Sequence, residues 1–404
     1  MHSVKKKIEQ SYPNQMLPQS TMPLGPVALR RASELHTAYS VHLRVAWLEV
    51  PHPGLGYYNA LRPPLESLGH NVTFMQASST RGFRDGEQLG ARIRAMDIAF
   101  VSFGFFPMEQ GALPHLHEFS RDRSEMRPTL CGVVPLVVLI NKEYALMQQK
   151  IAWLRQHCVE AALSVHHDVA TFQNQSGVPF HRIWFGVDVG LFAQRPSLST
   201  SLFAPQSYLP NKSHEYVYDL GFTGVVRRDQ TNNWRYQIWR NAWPLLSKRG
   251  LRLFSGPRGG VHVGVAHAEI NQSSYIEAMR GSKLWLSTTG PSDLVGTRYF
   301  EVMATGVTLC VCNRMSNELI YGSLGIKEGR HVVMFSTLAE FVDTVVNYTS
   351  LPEYEERRLA IVQRAQELAF RKFSWMHVAK RVETVMRRTV VGDGKKHGGA
   401  GGRR

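Results

Sequence analysis

The sequence predicts an α/β protein made of two Rossmann-like domains. The chain has 404 residues, 43% of them hydrophobic, which is enough for two buried cores. Short apolar segments alternate with longer segments of helical period along the chain, a pattern typical of parallel sheets covered by helices. Residues 196–213, rich in Ser and Pro and poor in charge, separate two such series and predict a linker.

The first series predicts an N-terminal domain over residues 41–195, after a poorly ordered leader at 1–40 that lacks a sustained hydrophobic period. Predicted strands cover 43–50, 71–75, 98–103, 133–140, 161–165 and 181–185, and predicted helices include 57–68 and 147–157. The turn at residues 53–56 lacks the third glycine of a dinucleotide fingerprint, so we expect no dinucleotide there.

The second series predicts a C-terminal domain over residues 214–388, followed by a disordered basic tail at 389–404. Predicted strands cover 216–222, 251–254, 283–287, 307–312 and 331–335. Predicted helices cover 232–246, 274–280, 297–305, 338–348, 353–370 and 375–388. Gly306 closes the third of these helices, as glycine commonly does at a helix end.

The formal net charge of +15 leaves several partner classes open. Part of the basic excess lies at the two ends of the chain, for example in Lys5-Lys6-Lys7 and Arg403-Arg404. Since neither an aromatic single-strand platform nor a reading helix is apparent, we expect no nucleic-acid partner. No run of about 18 apolar residues predicts a transmembrane segment, although peripheral membrane contact stays open.

The four cysteines show no metal-ligand spacing, and neither His166-His167 nor His115 with His117 has the i, i+4 spacing of a zinc protease motif. Cys131 and Cys158 stand alone, whereas Cys310 and Cys312 alternate on a predicted strand and share one face. Without an apolar secretory signal at the N-terminus, these observations favour buried thiols in a reducing, cytoplasmic compartment and no metal.

The segment from Gly296 to Gly306 contains the most informative pattern. It reads Gly-Thr-Arg-Tyr-Phe-Glu-Val-Met-Ala-Thr-Gly and leads into an apolar strand. This order resembles the donor-site motif of group 1 glycosyltransferases, in particular of the spore-maturation-type glycosyltransferase-like branch. The resemblance covers residues 216–388 well and the first domain only in architecture. It implies a GT-B fold, in which two Rossmann-like domains face a central cleft.

By this resemblance Glu301 binds the donor ribose, and Thr297, Arg298 and Gly306 belong to the same donor site. A carboxylate at a helix start suits the role, because it accepts both ribose hydroxyl protons while the free N–H groups there favour a diphosphate. An alternative stays open, in which Glu301 merely caps its helix and Arg298 pairs with it across one turn.

A second candidate site is the turn that follows the predicted strand 216–222. It contains Gly221, Thr223 and Gly224, and Arg227 and Arg228 come next. Ligands of open α/β sheets bind at such strand ends, where glycine lets the backbone approach an anion and an arginine fork grips phosphate. The resemblance implies that this turn faces the diphosphate, and a surface turn with two solvated arginines is the alternative.

Two acidic residues are further candidates for catalysis. Many group 1 enzymes have a Glu eight residues before the ribose ligand, and this chain has the shorter Asp293 there. Glu143 follows the predicted strand 133–140, where GT-B enzymes often place an acceptor-side or catalytic group. A plain acid at a helix start is the alternative for Glu143.

Together these features predict a metal-independent glycosyltransferase, retaining by resemblance, with no cofactor beyond its co-substrate. It would move a sugar from a nucleotide sugar, such as a UDP- or GDP-sugar, to a glycan or other hydroxyl acceptor. Arg227, Arg228 and the helix near Glu301 would stabilise the departing nucleoside diphosphate. The alternative is a non-catalytic nucleotide-binding or interaction protein on the same scaffold.

Overall fold

The architecture comes from a computed structural model, and all its described residues belong to the unit His42–Arg404. The described residues are 42–49, 60–76, 91–102, 134–140, 147–193, 215–224, 226, 233–255, 272–289, 294–315 and 319–392.

The first half of the chain forms a six-stranded parallel sheet with the spatial order β2-β1-β3-β4-β5-β6. Its strands are β1 (Arg44–Glu49), β2 (Asn71–Gln76), β3 (Ile98–Val101), β4 (Leu136–Ile140), β5 (Ala161–Ser164) and β6 (Phe180–Arg182). The central strands are buried on both faces, as the long apolar runs at 98–103 and 133–140 predict. All six predicted strands are confirmed, with ends shifted by a few residues.

Helices in this half include α1 (Arg62–Ser67), α2 (Met147–Gln156), α3 (Val169–Ser176) and α4 (Val189–Phe192). The helix predicted over 57–68 begins at Arg62, because the adjacent prolines Pro63 and Pro64 occupy its first turn. Proline is tolerated there, since the first turn has no intrahelical partner for its N–H groups. Asp168 and Asp188 each cap a helix start by accepting a backbone N–H bond.

The second half forms a five-stranded parallel sheet with the order β11-β10-β9-β7-β8. Its strands are β7 (Tyr218–Phe222), β8 (Leu253–Ser255), β9 (Ser282–Ser287), β10 (Leu309–Asn313) and β11 (Val333–Phe335). Each matches a strand predicted from the sequence. The sheet therefore has its crossover point between β7 and β9, since the chain leaves β7 on one side for β8 and returns on the other.

Helices in this half include α5 (Trp234–Gln237), α6 (Trp243–Lys248), α7 (Gln272–Arg280), α8 (Thr297–Thr305), α9 (Leu319–Leu324), α10 (Leu338–Ser350), α11 (Glu353–Leu368) and α12 (Trp375–Gly392). The helix predicted over 232–246 is divided by a π-helical turn, Ile238–Ala242. The turn precedes Pro244, whose ring crowds the carbonyl one turn earlier and widens the helix. A second π-helical turn, Ala369–Phe373, joins α11 to the residues before α12.

The C-terminal helix α12 packs against the first half of the chain. The His70 Nε2 to Glu383 Oε1 distance is 3.1 Å, and Val187 forms a parallel bridge with Ser374 just before the helix. The helix was predicted to end at residue 388, but it runs to Gly392, and it contacts helix α1. Residues 389–392 are therefore helical rather than part of a disordered tail.

Two of the cysteines are buried thiols and one is not. Cys310 and Cys312 on β10 are free and buried, as predicted. Cys158 is disulfide-bonded, so the expectation of a free thiol at this position is wrong. Isolation in the sequence does not predict isolation in space, because packing brings distant segments together. The expectation of a reducing compartment accordingly loses part of its basis.

Within the described ranges, no helix combines the length and the apolar character needed to span a membrane.

Candidate functional site

Polar side chains gather at the carboxyl edge of the second sheet, beside its crossover point. Thr223 follows β7, Thr288 and Thr289 follow β9, and Asn313 ends β10. Thr289 N–H donates to Asn313 Oδ1 at 2.9 Å, and Asn313 Nδ2 donates back to Thr289 Oγ1 at 3.0 Å. Ligands of open parallel sheets bind in the crevice at such an edge. The crossover point therefore marks the place where a ligand is expected.

The turn after β7 is held by glycines with two different tasks. A Cβ on Gly221 would lie 2.2 Å from the ring of Trp285, so this glycine allows the ring to cross the strand. Gly224 has a φ of +143°, a conformation that side chains rarely adopt. Its missing Cβ would lie 3.4 Å from Arg235 Nη1. Thus Gly221 is needed for packing, while Gly224 opens the turn beside a guanidinium group.

Helix α8 starts at the same edge. Gly296 is its N-cap, and no side chain caps the helix there. At the other end, Gly306 has a φ of +69° and its missing Cβ would lie 2.1 Å from Gln366 Nε2. The sequence grouped Gly306 with the donor site, but the structure places it at the opposite end of the helix from Gly296. A glycine is required at this position, because the helix end is left-handed and because Gln366 occupies the space that a Cβ would need.

Glu301 lies in the second turn of α8 and not at its start, which differs from the prediction. Tyr275 OH of α7 donates to Glu301 Oε2 at 2.6 Å. Burial raises the pKa of Glu301, while the Tyr275 hydrogen bond and the positive charge of Arg298 oppose that shift. Burial and the neighbouring Glu301 likewise raise the pKa of Tyr275 well above its usual range. Glu301 is therefore a carboxylate held in place by a neutral phenol.

Arg298 points to the turn after β7. Its Nε donates to Thr223 Oγ1 at 3.0 Å, which joins α8 to the end of the strand. It forms no ion pair within 4.0 Å with Glu301 or any other described acid, so the alternative of a pair across one helical turn is not the arrangement observed. Its charge nevertheless lowers the pKa of Glu301. Arg298 thus keeps donors for a ligand.

Arg235, which sequence analysis did not select, is the second cation of this site. Its Nε donates to Thr288 Oγ1 at 2.7 Å, beyond the end of β9. Burial and, next, the positive charge of Arg298 lower the pKa of Arg235 to about 10. Asn233 caps the start of α5 and fixes this position by accepting from Arg235 N–H at 2.9 Å. Two arginines therefore face the crossover point, and the part of the chain described here gives them no carboxylate partner for a salt bridge.

We call Thr223, Arg235, Tyr275, Arg298 and Glu301 the donor cluster. It brings together Thr223, Arg298 and Glu301 from the predicted site, with Gly224 and Thr297 adjacent to them along the chain. Arg227, Arg228, Asp293 and Glu143 lie outside the described residues. No sequence signal separates Arg235 and Tyr275 from other polar residues on helices, because their importance depends on strand order.

The first sheet has its own crossover point, between β1 and β3. Glu49 ends β1 with only 4% of its surface exposed, and Trp47 Nε1 donates to Glu49 Oε2 at 3.0 Å. Ser102 follows β3, and its buried Oγ has no hydrogen-bond partner among the described residues. A buried carboxylate and hydroxyl therefore occupy the position where the first domain would meet a ligand. Sequence analysis missed Glu49 because it stands inside an apolar strand.

Comparison with solved structures identifies the fold. The glycosyltransferase from Rickettsia africae ESF-5 aligns over 86% of this chain and 99% of its own, at 10% identity and a TM-score of 0.50. The chain has a GT-B fold. The two parallel α/β sheets match the predicted fold class.

A sequence comparison adds a family match in the second half of the chain. Residues 225–384 match the model of the family described as glycosyl transferase-like. This range includes Arg235, Tyr275, Arg298 and Glu301. The match and the fold together support a transferase of the glycosyltransferase type. No curated protein matches the sequence.

Two epimerase structures align over similar lengths of the chain with lower scores. A putative UDP-N-acetylglucosamine 2-epimerase from Listeria monocytogenes has 10% identity, a TM-score of 0.43, and coverage of 86% of this chain and 96% of its own. The UDP-GlcNAc 2-epimerase from Neisseria meningitidis, bound to UDP-GlcNAc, has 11% identity, a TM-score of 0.41, and coverage of 85% and 99%. At these scores neither structure decides a property of this chain.

Proposed function

We propose that this protein is a glycosyltransferase that moves a sugar from a nucleotide-sugar donor to an acceptor hydroxyl. The observation that supports it best is the donor cluster itself. It places two arginines and a carboxylate at the crossover point of the second sheet, within the residues that match a glycosyl transferase-like family. These are the groups that a sugar linked to a nucleoside diphosphate needs.

The two arginines suit the diphosphate. Each uses Nε on a threonine hydroxyl, which orients the guanidinium, and Arg235 Nη2 also donates to the Thr288 carbonyl at 3.5 Å. Five N–H donors on each guanidinium leave further donors for a ligand. Because the positive charge of Arg298 lowers the pKa of Arg235, an anion between them would relieve their repulsion. The uncapped N-terminus of α8 adds backbone N–H groups that favour the same anion.

Glu301 suits the ribose. One carboxylate oxygen accepts from Tyr275, and a carboxylate has further lone pairs for hydroxyl donors. Its position in the second turn of α8 is deeper than a helix-start acid would be. Ribose hydroxyls at Glu301 and phosphates at Arg298 would then be bound by one helix, since the two residues are three positions apart.

In the transfer, the acceptor oxygen forms a bond to the anomeric carbon, and the bond from that carbon to the phosphate oxygen breaks. The electron pair goes to the diphosphate, where Arg235 and Arg298 stabilise the growing negative charge. The acceptor hydroxyl loses its proton, and the departing phosphate oxygen is an acceptor for it. Arg227 and Arg228 remain candidates for the same role as the two described arginines.

Further details that the sequence predicts, such as metal use, stereochemistry, donor and acceptor, are part of the same proposal. We propose transfer without a metal ion and with retention, from a UDP- or GDP-sugar to a glycan or other hydroxyl acceptor, in a protein of the spore-maturation-type branch. We also keep the proposal of a cytoplasmic protein without a nucleic-acid partner. The motif at Gly296–Gly306 supports the branch and the donor class, and the location of part of the basic excess at the ends of the chain supports the absence of a nucleic-acid partner.

The first test is thermal stabilisation by UDP, GDP, ADP, CMP and their sugar conjugates. A ligand that binds only the folded protein raises the melting temperature. We expect one nucleotide family to stabilise the wild type, Glu301→Ala to abolish the shift, and Glu277→Gln to retain it. Glu277 is a matched control because it is exposed on the neighbouring helix α7.

A measurement of nucleoside diphosphate release from the stabilising sugar conjugate then distinguishes a transferase from a non-catalytic nucleotide-binding protein. Turnover supports the transferase. Stabilisation without turnover against a panel of glycan and hydroxyl acceptors favours the non-catalytic nucleotide-binding protein. If no nucleotide stabilises the folded wild type, the donor cluster is not a nucleotide-sugar site and the proposal fails.

A further inference from the structure

A second group of cations lies away from the donor cluster, around the ring of Trp184. The distance from the ring centroid is 5.1 Å to Arg182 Cζ, 5.0 Å to Lys372 Nζ and 4.5 Å to Arg381 Cζ. We call these four residues the Trp184 cluster. All three positive groups therefore lie within 5.1 Å of one point, the centroid of the Trp184 ring.

The cluster is assembled from two distant parts of the chain. Arg182 ends β6 of the first sheet, and Trp184 follows it. Lys372 belongs to the π-helical turn Ala369–Phe373, and Arg381 to α12. The sequence shows no basic run here that joins these residues, so their convergence is a property of the fold.

The three cations have no acidic partner in the described part of the chain. None of them forms a salt bridge with a carboxylate among the described residues. Burial and then the other cations lower the pKa values of Arg182 and Lys372, and burial alone lowers the pKa of Arg381. Like charges held together without a counter-charge are costly, so a bound anion would stabilise this arrangement.

Neutral acceptors hold the cations in position without using all their donors. Arg182 Nη1 donates to Ser323 Oγ at 2.6 Å, Lys372 Nζ to the Ser323 carbonyl at 3.1 Å, and Arg381 Nη2 to the Arg182 carbonyl at 3.2 Å. Arg182 Nε is buried and has no acceptor among the described residues. Each cation therefore has N–H groups left for a ligand.

We propose that the Trp184 cluster is a second anion site, which binds a phosphomonoester or pyrophosphate group separate from the donor diphosphate. Two guanidinium groups offer paired donors that match phosphate oxygens, and an ammonium group adds a third charge. Three positive charges balance the roughly two negative charges of a phosphomonoester better than the single charge of a carboxylate. The phosphate belongs either to a soluble molecule or to the headgroup of a lipid.

The cluster also touches the space between the two halves of the chain. Arg182 and Trp184 line a small cavity together with Leu294, Val295 and Phe300, which lead into and belong to helix α8. Two residues of the cluster therefore share a cavity with residues at the start of helix α8. A phosphorylated acceptor is the occupant that would connect this site with the proposed transfer.

Titration calorimetry with inorganic pyrophosphate tests the site. The proteins are the wild type, Lys372→Gln and Arg381→Gln, with Arg371→Gln and Lys380→Gln as controls. Each control removes one positive charge at an exposed residue next to the one tested, so the change in net charge is matched. We expect binding roughly tenfold weaker in the two cluster variants, the loss of one strong interaction with phosphate, and an unchanged affinity in the controls.

Co-sedimentation with phosphatidylcholine vesicles that contain phosphatidic acid distinguishes the two sources of phosphate. Binding that Arg381→Gln abolishes and Lys380→Gln retains assigns the site to a lipid headgroup. Pyrophosphate binding without vesicle binding assigns it to a soluble phosphorylated molecule. Equal losses in cluster and control variants, or no pyrophosphate binding and no vesicle binding at the cluster, would overturn the proposal.

The donor response reports on the other site in the same proteins. The donor cluster is unaltered in all five proteins, so its thermal shift with the stabilising nucleotide should be the same in each. If the nucleotide still raises the melting temperature but Arg381→Gln binds pyrophosphate and vesicles as the wild type does, only the second site is rejected. Loss of the donor shift in the wild type rejects the proposed function alone.

Discussion

Arg298 and Thr223 join helix α8 to strand β7 of the second sheet. Arg298 Nε donates to Thr223 Oγ1 at 3.0 Å, so the guanidinium stands at the carboxyl end of β7 and does not pair with Glu301 one turn away. A side chain held by a neutral hydroxyl keeps its full charge for a ligand. The threonine therefore positions the cation without neutralising it, which an acidic residue could not do.

Thr223→Val should weaken donor binding while the fold persists. The change removes the hydroxyl and keeps the branched shape, so Arg298 loses its fixed orientation and binding should fall roughly five- to tenfold, about 1 kcal/mol or slightly more. Calorimetry with the stabilising nucleotide measures the change. Thr308→Val is the matched control, because Thr308 Oγ1 also donates a buried hydrogen bond, to the Met279 carbonyl at 2.7 Å. Equal affinities in both variants would contradict the role of Thr223.

Arg235→Gln should reduce affinity for the nucleoside diphosphate more strongly than it reduces affinity for the nucleoside. The side chain is largely buried, and its positive charge lies beside that of Arg298. Loss of one charge-assisted contact with phosphate is worth roughly 1.5–3 kcal/mol, or about ten- to a hundredfold in binding.

The comparison for Arg235 is Arg240→Gln, an exposed arginine whose Nη1 donates to Tyr236 OH at 2.9 Å in the same helical segment. It should bind both ligands as the wild type does. A diphosphate affinity that is the same in Arg235→Gln and the wild type would remove Arg235 from the donor cluster.

Much of the fold could be predicted from the sequence, because strand periods and buried apolar runs are local properties. The strands around Val137 and Val311 are examples, since runs of consecutive apolar residues, 136–140 and 309–312, form them. The course of α12 could not be predicted in this way. Its contact with the first half depends on Glu383 meeting His70, which are 313 positions apart.

The residues of the candidate site divide in the same way, into those that a local motif predicts and those that only the fold brings to the site. Glu301 and Arg298 stand in a local motif and could be selected from the sequence. Arg235 became a candidate only when the order β9-β7-β8 placed its helix at the crossover point. Gly306 shows the opposite case, since it stands in the motif but lies beside Gln366 at the far end of the helix. Sequence proximity to a site does not establish contact with it.

Gly221→Ala should destabilise the protein, although the sequence placed this glycine in the donor site. A Cβ at Gly221 would lie 2.2 Å from the Trp285 ring and 2.6 Å from Ser282 Oγ, in the centre of the sheet. Overpacking of this kind costs roughly 1–3 kcal/mol. Gly322→Ala is the control, because nothing lies within 4 Å of its missing Cβ and its backbone is helical.

Denaturant unfolding measures both glycine variants. The alanine at position 322 should leave stability unchanged or raise it by about 0.4–1 kcal/mol, since it restricts the unfolded chain. Donor affinity of folded Gly221→Ala should fall only if Trp285 moves the strand end. A stable Gly221→Ala that no longer binds nucleotide would instead support direct contact with the donor.

His331 should make the folded protein less stable in mild acid. Burial, and then the charges of Arg330, Lys327 and Arg364, lower the pKa of His331 to about 4. Its Nδ1 accepts from Lys327 N–H at 3.1 Å, which requires the unprotonated ring nitrogen. Between the unfolded value near 6.5 and about 4, the unfolded chain binds a proton that the folded chain does not. Stability therefore falls as the pH decreases through this window.

Urea unfolding at several pH values checks the contribution of His331. After allowance for solvent screening, it should amount to about 1–2 kcal/mol between pH 7 and pH 4. His331→Gln keeps a polar side chain without the titrating ring, so its stability should decrease less over the same window. Parallel curves for the variant and the wild type would show that other groups cause the acid sensitivity.

Glu49→Gln should separate donor binding from turnover. Glu49 is buried at the end of β1, beside the crossover point of the first sheet, and accepts from Trp47 Nε1 at 3.0 Å. Glutamine has nearly the same shape and retains an oxygen for this hydrogen bond, while its amide N–H group replaces the second carboxyl oxygen. We expect the variant to fold. If the carboxylate accepts a proton from or orients the acceptor hydroxyl, nucleoside diphosphate release should slow by about a hundredfold or more. The thermal shift with the nucleotide should not change, because the donor cluster belongs to the second sheet.

Glu66→Gln is the control, since Glu66 is exposed on α1 and pairs with Arg62. Release at the wild-type rate in Glu49→Gln would show that the charge is structural, whereas a lost thermal shift would show that the first sheet contributes to the donor site.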